Sequence, residues 1–171
     1  MDTHPDIYED VASPVGCLRL VSCGDELVGI RFATGRDGRR RDIAEQNLVA
    51  GSSSVIERAR VQLEEYFRGE RRDFDLPLAP RGTEFQRRVW QRLRGIEYGS
   101  TTTYGALAHE LGNSKASRAV GLANGSNPIP IVIPCHRVIG ADGTLTGFGG
   151  GLPVKSALLE LERGRLQPRL F

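Results

Sequence analysis

The segment TYGALAHELGNSKASRAVGLA, residues 103–123, predicts two short helices joined by a tight turn. The first helix is expected over Thr103–Leu111 and the second over Lys115–Ala123. Gly112 ends the first helix, because glycine readily adopts the left-handed conformation that closes a helix, and Asn113–Ser114 supplies turn residues. The segment therefore places a helix-turn-helix in the C-terminal half of the chain.

A helix-turn-helix suggests DNA binding, but paired helices are also common in proteins that never touch nucleic acid. The second helix carries small residues at Ala119, Gly121 and Ala123, so its backbone can approach a neighbour closely. That neighbour is either a narrow DNA groove or another helix of the same protein. Arg118, in the middle of the helix, favours DNA.

The first residues of the chain predict a β-hairpin. Two alternating runs, Cys17–Val21 and Leu27–Phe32, flank the turn residues Gly24-Asp25. The stretch Arg36–Gly51 is polar, contains glycines and has little periodicity, so we expect a loop there.

A helix is expected after this loop, over Ser54–Arg68, with Gly69 as its C-cap. Its apolar positions follow helical spacing: Ile56, Ala59, Leu63, Tyr66 and Phe67. Phe74–Leu78 could add another strand, and the residues around Pro80 form a plausible linker.

The C-terminal half begins with another helix, because Thr83 and Gln86 have the spacing of a capping box. The expected fold class is α/β in the broad sense and α+β in detail. A small antiparallel-sheet-plus-helix domain is expected at 1–80. A mostly helical domain with the helix-turn-helix and a cysteine-containing segment is expected at 81–171.

Composition and charge restrict the class of protein. No apolar run approaches the roughly 20 residues of a membrane-spanning helix, and Met1–Glu9 lacks the pattern of a secretory signal. We therefore expect a cytoplasmic protein without a membrane partner. The odd number of cysteines, three, argues against a disulfide framework.

The net charge of +2 does not by itself indicate a nucleic-acid partner, so the distribution of charge matters more. Arginines form two clusters, one in the expected loop and one on the helix after the linker: Arg36, Arg39, Arg40 and Arg41, then Arg87, Arg88, Arg92 and Arg94. Such runs are usually solvated faces, and either cluster could be only that.

A cysteine and a histidine stand side by side after the β-branched run Ile131–Ile133 and Pro134. On extended chain, neighbouring side chains point to opposite faces, so His136 is expected to reach the Cys135 sulfur through a water. A thiol is a strong nucleophile only as the thiolate, and His136 and Arg137 could supply a base and positive charge. A small buried cysteine beside a satisfied core histidine explains the same pair, whereas the spacing of a zinc site is missing.

Residues 83–162 resemble the O6-alkylguanine-DNA alkyltransferases, also called methylated-DNA–protein-cysteine methyltransferases. The resemblance is carried by Ile131-Val132-Ile133-Pro134-Cys135-His136-Arg137-Val138, which looks like the family's active-site signature and follows Arg118-Ala119-Val120-Gly121 and Asn127-Pro128 in the expected order. The N-terminal half is similar only loosely, through Ser13-Pro14-Val15-Gly16 and the hairpin, and in the family it is a small sheet-and-helix domain.

The resemblance implies repair of O6-alkylguanine, and of O4-alkylthymine, by irreversible transfer of the alkyl group to Cys135, once per molecule and without a cofactor. His136 would act as the base through a water, and Glu162 would hold the histidine in the right tautomer. Without the resemblance, Glu162 looks like an ordinary exposed helix residue.

The resemblance also implies roles at the DNA. Arg118 would fill the gap left by a flipped nucleotide, Tyr104 would crowd the phosphate and protonate the leaving base, and Asn127 would tie the recognition helix to the active-site segment. The implied DNA contacts are Arg118, Tyr104, Lys115, Ser117, Ala119 and Ala123. The implied pocket residues are Val138, Phe148, Gly149, Gly150 and Lys155, with Lys155 reaching the base or its phosphate surroundings.

Two departures from the family pattern bear on the pocket. Phe148 stands where some members have tyrosine, and Gly149 where some have a serine, so the pocket is expected to be roomier and to tolerate bulkier adducts. Some members also hold zinc in the N-terminal half. Only His4 and Cys23 could match its ligands here, so no structural metal is expected.

The expected partner is double-stranded DNA containing O6-alkylguanine, bound by a monomer with or without cooperativity, mostly through phosphates and shape. Two other functions stay open. One is a non-catalytic lesion-binding protein, against which Cys135 argues. The other is a thiol hydrolase that uses Cys135 and His136, in which Arg118 and the helix pair would be idle.

Overall fold

The computed structural model of the chain describes residues 5–33 and 47–165. Its strands are β1 (Asp6–Val11), β2 (Leu18–Cys23), β3 (Glu26–Phe32), β4 (Leu48–Ala50), β5 (Thr102–Thr103) and β6 (Val138–Ile139). Its helices are α1 (Ser54–Phe67), α2 (Glu84–Leu93), α3 (Tyr104–Glu110), α4 (Ser117–Gly125) and α5 (Leu152–Glu162). A short 3₁₀ helix covers Cys135–Arg137. Across these two ranges, no helix combines the length and apolarity needed to cross a bilayer.

The N-terminal half is built on a four-stranded sheet in the order β3-β2-β1-β4. The expected hairpin is confirmed as β2 and β3, with Gly24 at φ +55° in the turn. β1 pairs antiparallel with β2, and β4 pairs parallel with β1, so the sheet is mixed. Neither β1 nor β4 was expected. β1 falls partly in the acidic first segment, and β4 falls in the stretch taken as a loop.

The strand expected over Phe74–Leu78 is wrong. Only Leu78 makes a bridge, to Leu27, through hydrogen bonds from the Leu27 amide to the Pro77 oxygen and from the Ala79 amide to the Leu27 oxygen, both 2.9 Å. Pro77 has no N–H to donate, so the ladder cannot extend along this segment.

The helix ends follow the sequence signals closely. Ser53 caps α1 by accepting from the Ile56 amide, and Gly69 at φ +74° follows the end of the helix. Thr83 and Gln86 form a complete capping box on α2. α1 packs on the sheet, and its buried side is almost entirely apolar: Val55, Ile56, Ala59, Leu63, Tyr66 and Phe67.

The helix-turn-helix is present as α3 and α4, but the second helix starts two residues later than expected. The Lys115 amide donates to the Asn113 side chain over 3.1 Å, which keeps Lys115 in the turn. α4 packs against both α2 and α3. The indole of Trp90 on α2 donates to the backbone oxygen of Ala123 over 2.8 Å and fixes that packing.

One apolar core joins the two halves. Phe32 at the end of β3 packs edge-on against Phe148, with ring centroids 5.4 Å apart. The Ile30 amide of the same strand donates to the Pro128 oxygen over 2.9 Å. The sheet therefore packs directly on the segments that flank Cys135 in sequence.

Candidate active site

Cys135 lies at a sharp turn and not on extended chain, which corrects the expectation from the β-branched run. Pro134 has φ −81° and ψ 63°, the geometry of an inverse γ-turn, and the Cys135 amide donates to the Ile133 oxygen over 2.8 Å. The Arg137 amide then donates to the Pro134 oxygen over 3.1 Å and closes one 3₁₀ turn. Cys135 and His136 consequently do not alternate across a strand.

Glu162, at the end of α5, accepts hydrogen bonds from several polar groups around this turn. Its Oε1 accepts from His136 Nε2 over 2.7 Å and from Arg137 Nη2 over 2.9 Å. Its Oε2 accepts from Arg137 Nε over 2.9 Å and from the Gly99 amide over 3.2 Å. The side chain is fully buried, so its sequence setting as an exposed helix residue was misleading.

The charge state of Glu162 determines the tautomer of His136. Burial alone would raise the pKa of this carboxyl, but the hydrogen bonds from His136 and Arg137 and the positive charge beside it lower that pKa to about 2. An ionised carboxylate only accepts, so Nε2 of His136 carries the proton that bonds to it. Burial lowers the pKa of His136 against the opposing pull of Glu162, which favours a neutral ring.

The other ring nitrogen of His136 is available as an acceptor. Nδ1 is buried and has no hydrogen-bond partner among the residues that the structure describes. With Nε2 protonated, Nδ1 holds a lone pair. A neutral histidine with one nitrogen anchored and the other open can take a proton from a neighbouring group.

Tyr66 of α1 also reaches Glu162, a contact that was not predicted from the sequence. Its hydroxyl donates to Glu162 Oε1 over 2.8 Å, and its side chain is fully buried. In the sequence, Tyr66 is only one apolar position of a helical pattern. The N-terminal half thus contributes a polar group to the site.

Lys155 is buried, which corrects the expectation that it reaches a base or phosphate. Its ammonium donates to the backbone oxygens of Val138, over 2.6 Å, and Thr146, over 2.8 Å. Burial lowers the pKa of Lys155 to about 8, and the nearby Cys135 opposes that shift. A positive charge at this place favours the thiolate form of Cys135.

Two asparagines hold the backbone before and at Cys135. Asn127, just after α4, donates to the Ile133 oxygen over 2.7 Å and accepts from the Ile129 amide over 3.0 Å. Asn124, within α4, donates to the Cys135 oxygen over 3.3 Å and was missed in the sequence. Hydrogen bonds therefore connect α4 and the residue just after it directly to the turn at Cys135.

An open cavity of about 600 Å³ lies beside α4. It brings together several of the expected DNA contacts with residues 146–147, and its lining includes Tyr104, Ser117, Arg118, Leu122, Thr146 and Gly147. The hydroxyls of Tyr104 and Thr146 are 2.8 Å apart and share a hydrogen bond. Thr146 was not predicted as a site residue. Its backbone oxygen also accepts the hydrogen bond from Lys155 described above.

The residues expected to contact DNA differ in their exposure to solvent. Arg118, Ala119 and Lys115 are exposed. Ala123 is buried against Trp90 of α2, so it cannot face DNA, and the expectation for this residue is wrong. The small residues of α4 thus serve internal packing as well as an open face.

Comparison with known proteins gives two family matches that together span nearly the whole chain. The model described as 6-O-methylguanine DNA methyltransferase, DNA binding domain, matches residues 84–164, and the model of the ribonuclease-like domain of the same family matches residues 7–80. The chain belongs to the 6-O-methylguanine DNA methyltransferase family.

Relatives of this methyltransferase are similar along most of their length. A methylated-DNA–protein-cysteine methyltransferase of Methanosarcina acetivorans is 49% identical over 155 residues, which cover 91% of this chain and 97% of the relative. The protein of the same name from Mycobacterium tuberculosis is 46% identical over 92% of this chain and 93% of its own. The crystal structure of Mycobacterium tuberculosis OGT in complex with DNA superposes with a TM-score of 0.84 at 45% identity, covering 93% and 94% of the two chains.

The expected pocket residues of this methyltransferase are mostly packed inside. Val138 and Phe148 are buried, and Gly150 lies so close to the ring of Phe32 that a Cβ atom would come within 3.0 Å of it. Gly149 differs, because a Cβ atom there would meet nothing within 4 Å. The roomier pocket expected at this position stays a prediction.

Of the two arginine clusters, only the one on and just after α2 lies among the described residues. The cluster on α2 lines an open groove of about 870 Å³, where Arg92 pairs with Glu110 over 2.6 Å. The cluster in the expected loop, residues 36–41, and His4 lie outside the described residues. Among the described residues, no group of three His, Cys, Asp or Glu side chains is arranged to hold a metal ion.

Proposed function

We propose that the protein transfers an alkyl group from O6 of guanine in double-stranded DNA to Cys135 Sγ, once per molecule. The observation that carries the proposal is the arrangement beside Cys135, where a neutral His136 is anchored through Nε2 to the charged Glu162 and keeps Nδ1 as an acceptor. This is the base that an ionising thiol requires.

In the proposed reaction, the Cys135 thiol gives its proton to His136 Nδ1 through a water, and the imidazolium is stabilised by Glu162. The thiolate attacks the alkyl carbon, so that an S–C bond forms while the C–O bond to guanine breaks. The leaving guanine takes up a proton, for which the Tyr104 hydroxyl is the proposed donor. The buried Lys155 ammonium supports the thiolate electrostatically.

The reaction stops after one transfer because the thioether is stable and no second thiol is near. Cys17 lies just before β2 and Cys23 at its end, on the N-terminal sheet, and none of the three cysteines forms a disulfide. Thiols that are not joined in disulfides also agree with the proposed cytoplasmic location.

DNA is proposed to bind along α4, with Arg118 entering the duplex in place of the extruded nucleotide. Cys135 is only 5% exposed, so it cannot reach a base that remains stacked in the duplex. The cavity beside α4 brings Arg118, Ser117 and Tyr104 to one surface, which supports their use in one contact. We propose that a monomer makes this contact and that O4-alkylthymine is a further substrate.

Intact-protein mass spectrometry tests the proposal after incubation with duplex DNA that carries one O6-methylguanine. We expect a single added methyl group, mapped by peptide analysis to Cys135 and absent in Cys135→Ser. Cys17→Ser is the matched control and should be methylated like the wild type.

Two results would contradict the proposal, each in favour of a different function. Tight binding of the lesion with no change in protein mass would indicate a non-catalytic lesion-binding protein. Release of small-molecule product beyond one equivalent per protein would indicate a thiol hydrolase.

A further inference from the structure

We propose that Tyr66, on α1 of the N-terminal half, is a positioning residue for alkyl transfer that acts through Glu162. The inference rests on the proposed function, because it assigns a role in that reaction. Tyr66 stands 96 positions before Glu162, yet its hydroxyl and His136 Nε2 donate to the same carboxylate oxygen, over 2.8 and 2.7 Å.

The hydroxyl of Tyr66 does more than fill space in the core. The side chain is fully buried, and a phenylalanine would make the same apolar contacts. A buried hydroxyl costs free energy unless it is hydrogen-bonded, and here the bond goes to Glu162. Burial and the adjacent carboxylate raise the pKa of Tyr66 well above its usual value, so the phenol remains a donor.

The ring of Tyr66 is held on several sides, which fixes the position of its hydroxyl. Its centroid lies 5.4 Å from that of Phe67, 5.5 Å from Phe74 and 6.2 Å from Tyr98. Edge-on and tilted aromatic contacts of this kind hold a ring in one place. Rings from both halves therefore hold the Tyr66 hydroxyl where it meets Glu162 Oε1, the same oxygen that accepts from His136.

The bond from Tyr66 also moderates the charge that His136 experiences. Oε1 shares its negative charge among three donors, from Tyr66, His136 and Arg137. Without the phenol, more of that charge acts on the imidazole and raises the pKa of His136. The charged or titratable groups around His136 are Glu162, Arg137, Lys155, Cys135 and Tyr66, and only the last is altered by the substitution below.

Tyr66→Phe tests the inference in the full-length protein. We expect alkyl transfer to slow by about three- to tenfold, the value of one ordinary hydrogen bond, while the Kd for DNA is unchanged. The acid limb of the rate profile should move to higher pH, because a more basic His136 is protonated sooner. Tyr98→Phe is the matched control, since Tyr98 contacts the ring of Tyr66 but makes no hydrogen bond to Glu162 in the part of the chain that the structure describes.

A double-mutant cycle separates positioning from stability. In a Glu162→Gln background, Tyr66→Phe should have little further effect on the rate, because the residue acts through the carboxylate. An equal loss in both backgrounds, or a lowered Tm with unchanged rate and pH profile, would overturn the inference.

Nitrogen NMR of the His136 ring provides a readout that does not depend on alkyl transfer. Tyr66→Phe should raise the pKa measured for His136, and Tyr98→Phe should not. An unchanged titration would overturn the inference. If wild-type Cys135 failed to take up an alkyl group while this shift was observed, the proposed function would fail and the coupling of Tyr66 to His136 would stand.

Discussion

At the scale of single residues, the buried carboxylate of Glu162 links the chemistry of the site to its stability. Arg137 approaches it with two nitrogens, a geometry that combines charge with directional hydrogen bonds. Removing one member of such a buried pair leaves the other charge uncompensated. The arrangement that sets the tautomer of His136 therefore also contributes to the stability of the fold.

The pKa of Glu162 predicts a specific acid sensitivity. Its folded-state value of about 2 lies below the ordinary 4.5, so the ionised group stabilises the fold above pH 4.5. That contribution, on the order of 3 kcal/mol, is lost as the pH falls toward 2. Urea unfolding at several pH values should show this loss in the wild type and in Glu160→Gln, a control on the same helix. Glu162→Gln should be less stable at pH 6 and lack this component, and an unchanged pH dependence in that variant would contradict the prediction.

The sequence predicted the individual site residues unevenly. Cys135 and His136 stand side by side and could be singled out as candidates from that pairing alone. Glu162 could be assigned only through resemblance, because three leucines and a glutamate on a helix do not show which side is buried. Tyr66 could not be identified at all, since its role depends on a contact with a residue far along the chain.

At the scale of elements, α4 combines a basic and an apolar side chain on its open face. Leu122 is 71% exposed and follows Arg118 by one helical turn, and both line the same cavity. Proteins that bind the minor groove often place apolar side chains against the bases and sugars beside an arginine. An exposed leucine at this position is thus suited to contact DNA.

Leu122→Ala should weaken DNA binding by about three- to tenfold, the effect of losing part of one buried leucine side chain. Fluorescence anisotropy with a labelled duplex at fixed salt measures it. Transfer from the free O6-alkylguanine base, which needs no duplex, should keep its rate. Leu152→Ala, at a 44% exposed leucine of α5, is the control, and an equal loss in both variants would argue against a DNA contact by Leu122.

Elements were predicted best where their ends carry capping residues. Thr83 begins α2 as its capping-box spacing with Gln86 predicts, since such a cap depends on residues only three positions apart. The strand expected before Pro80 did not form because Pro77 cannot donate to a ladder. β1 was not predicted because half of its sequence, DIYEDV, is acidic, although most of its residues lie half-buried beside β2.

At the scale of the whole molecule, the two halves share one core. Phe32 is 6% exposed and contacts Phe148, and its ring lies directly against Gly150. Such contacts connect the N-terminal sheet to the loop that precedes α5. The sequence correctly predicted an N-terminal part with a sheet and a helix and a C-terminal part that is mostly helical. It contained no sign of how tightly these two parts pack.

Phe32→Ala should destabilise both halves together, by about 3–5 kcal/mol, because it removes a buried aromatic ring from the shared core. Trp90, the single tryptophan, is buried in the C-terminal half and reports on that half by fluorescence. Its urea midpoint should fall in Phe32→Ala and stay near the wild-type value in Val61→Ala, a control at a 44% exposed position of α1. An unchanged Trp90 transition in Phe32→Ala would mean that the halves unfold independently.

The position of Glu162 along the chain gives the protein an order of maturation. During synthesis, Tyr66, Cys135 and His136 all leave the ribosome before Glu162 does. Until Glu162 has emerged and α5 has docked, His136 and Arg137 lack their shared acceptor, so the base beside Cys135 is not yet set. In the proposed mechanism, activation of the Cys135 thiol therefore waits until α5 has docked in the folded protein.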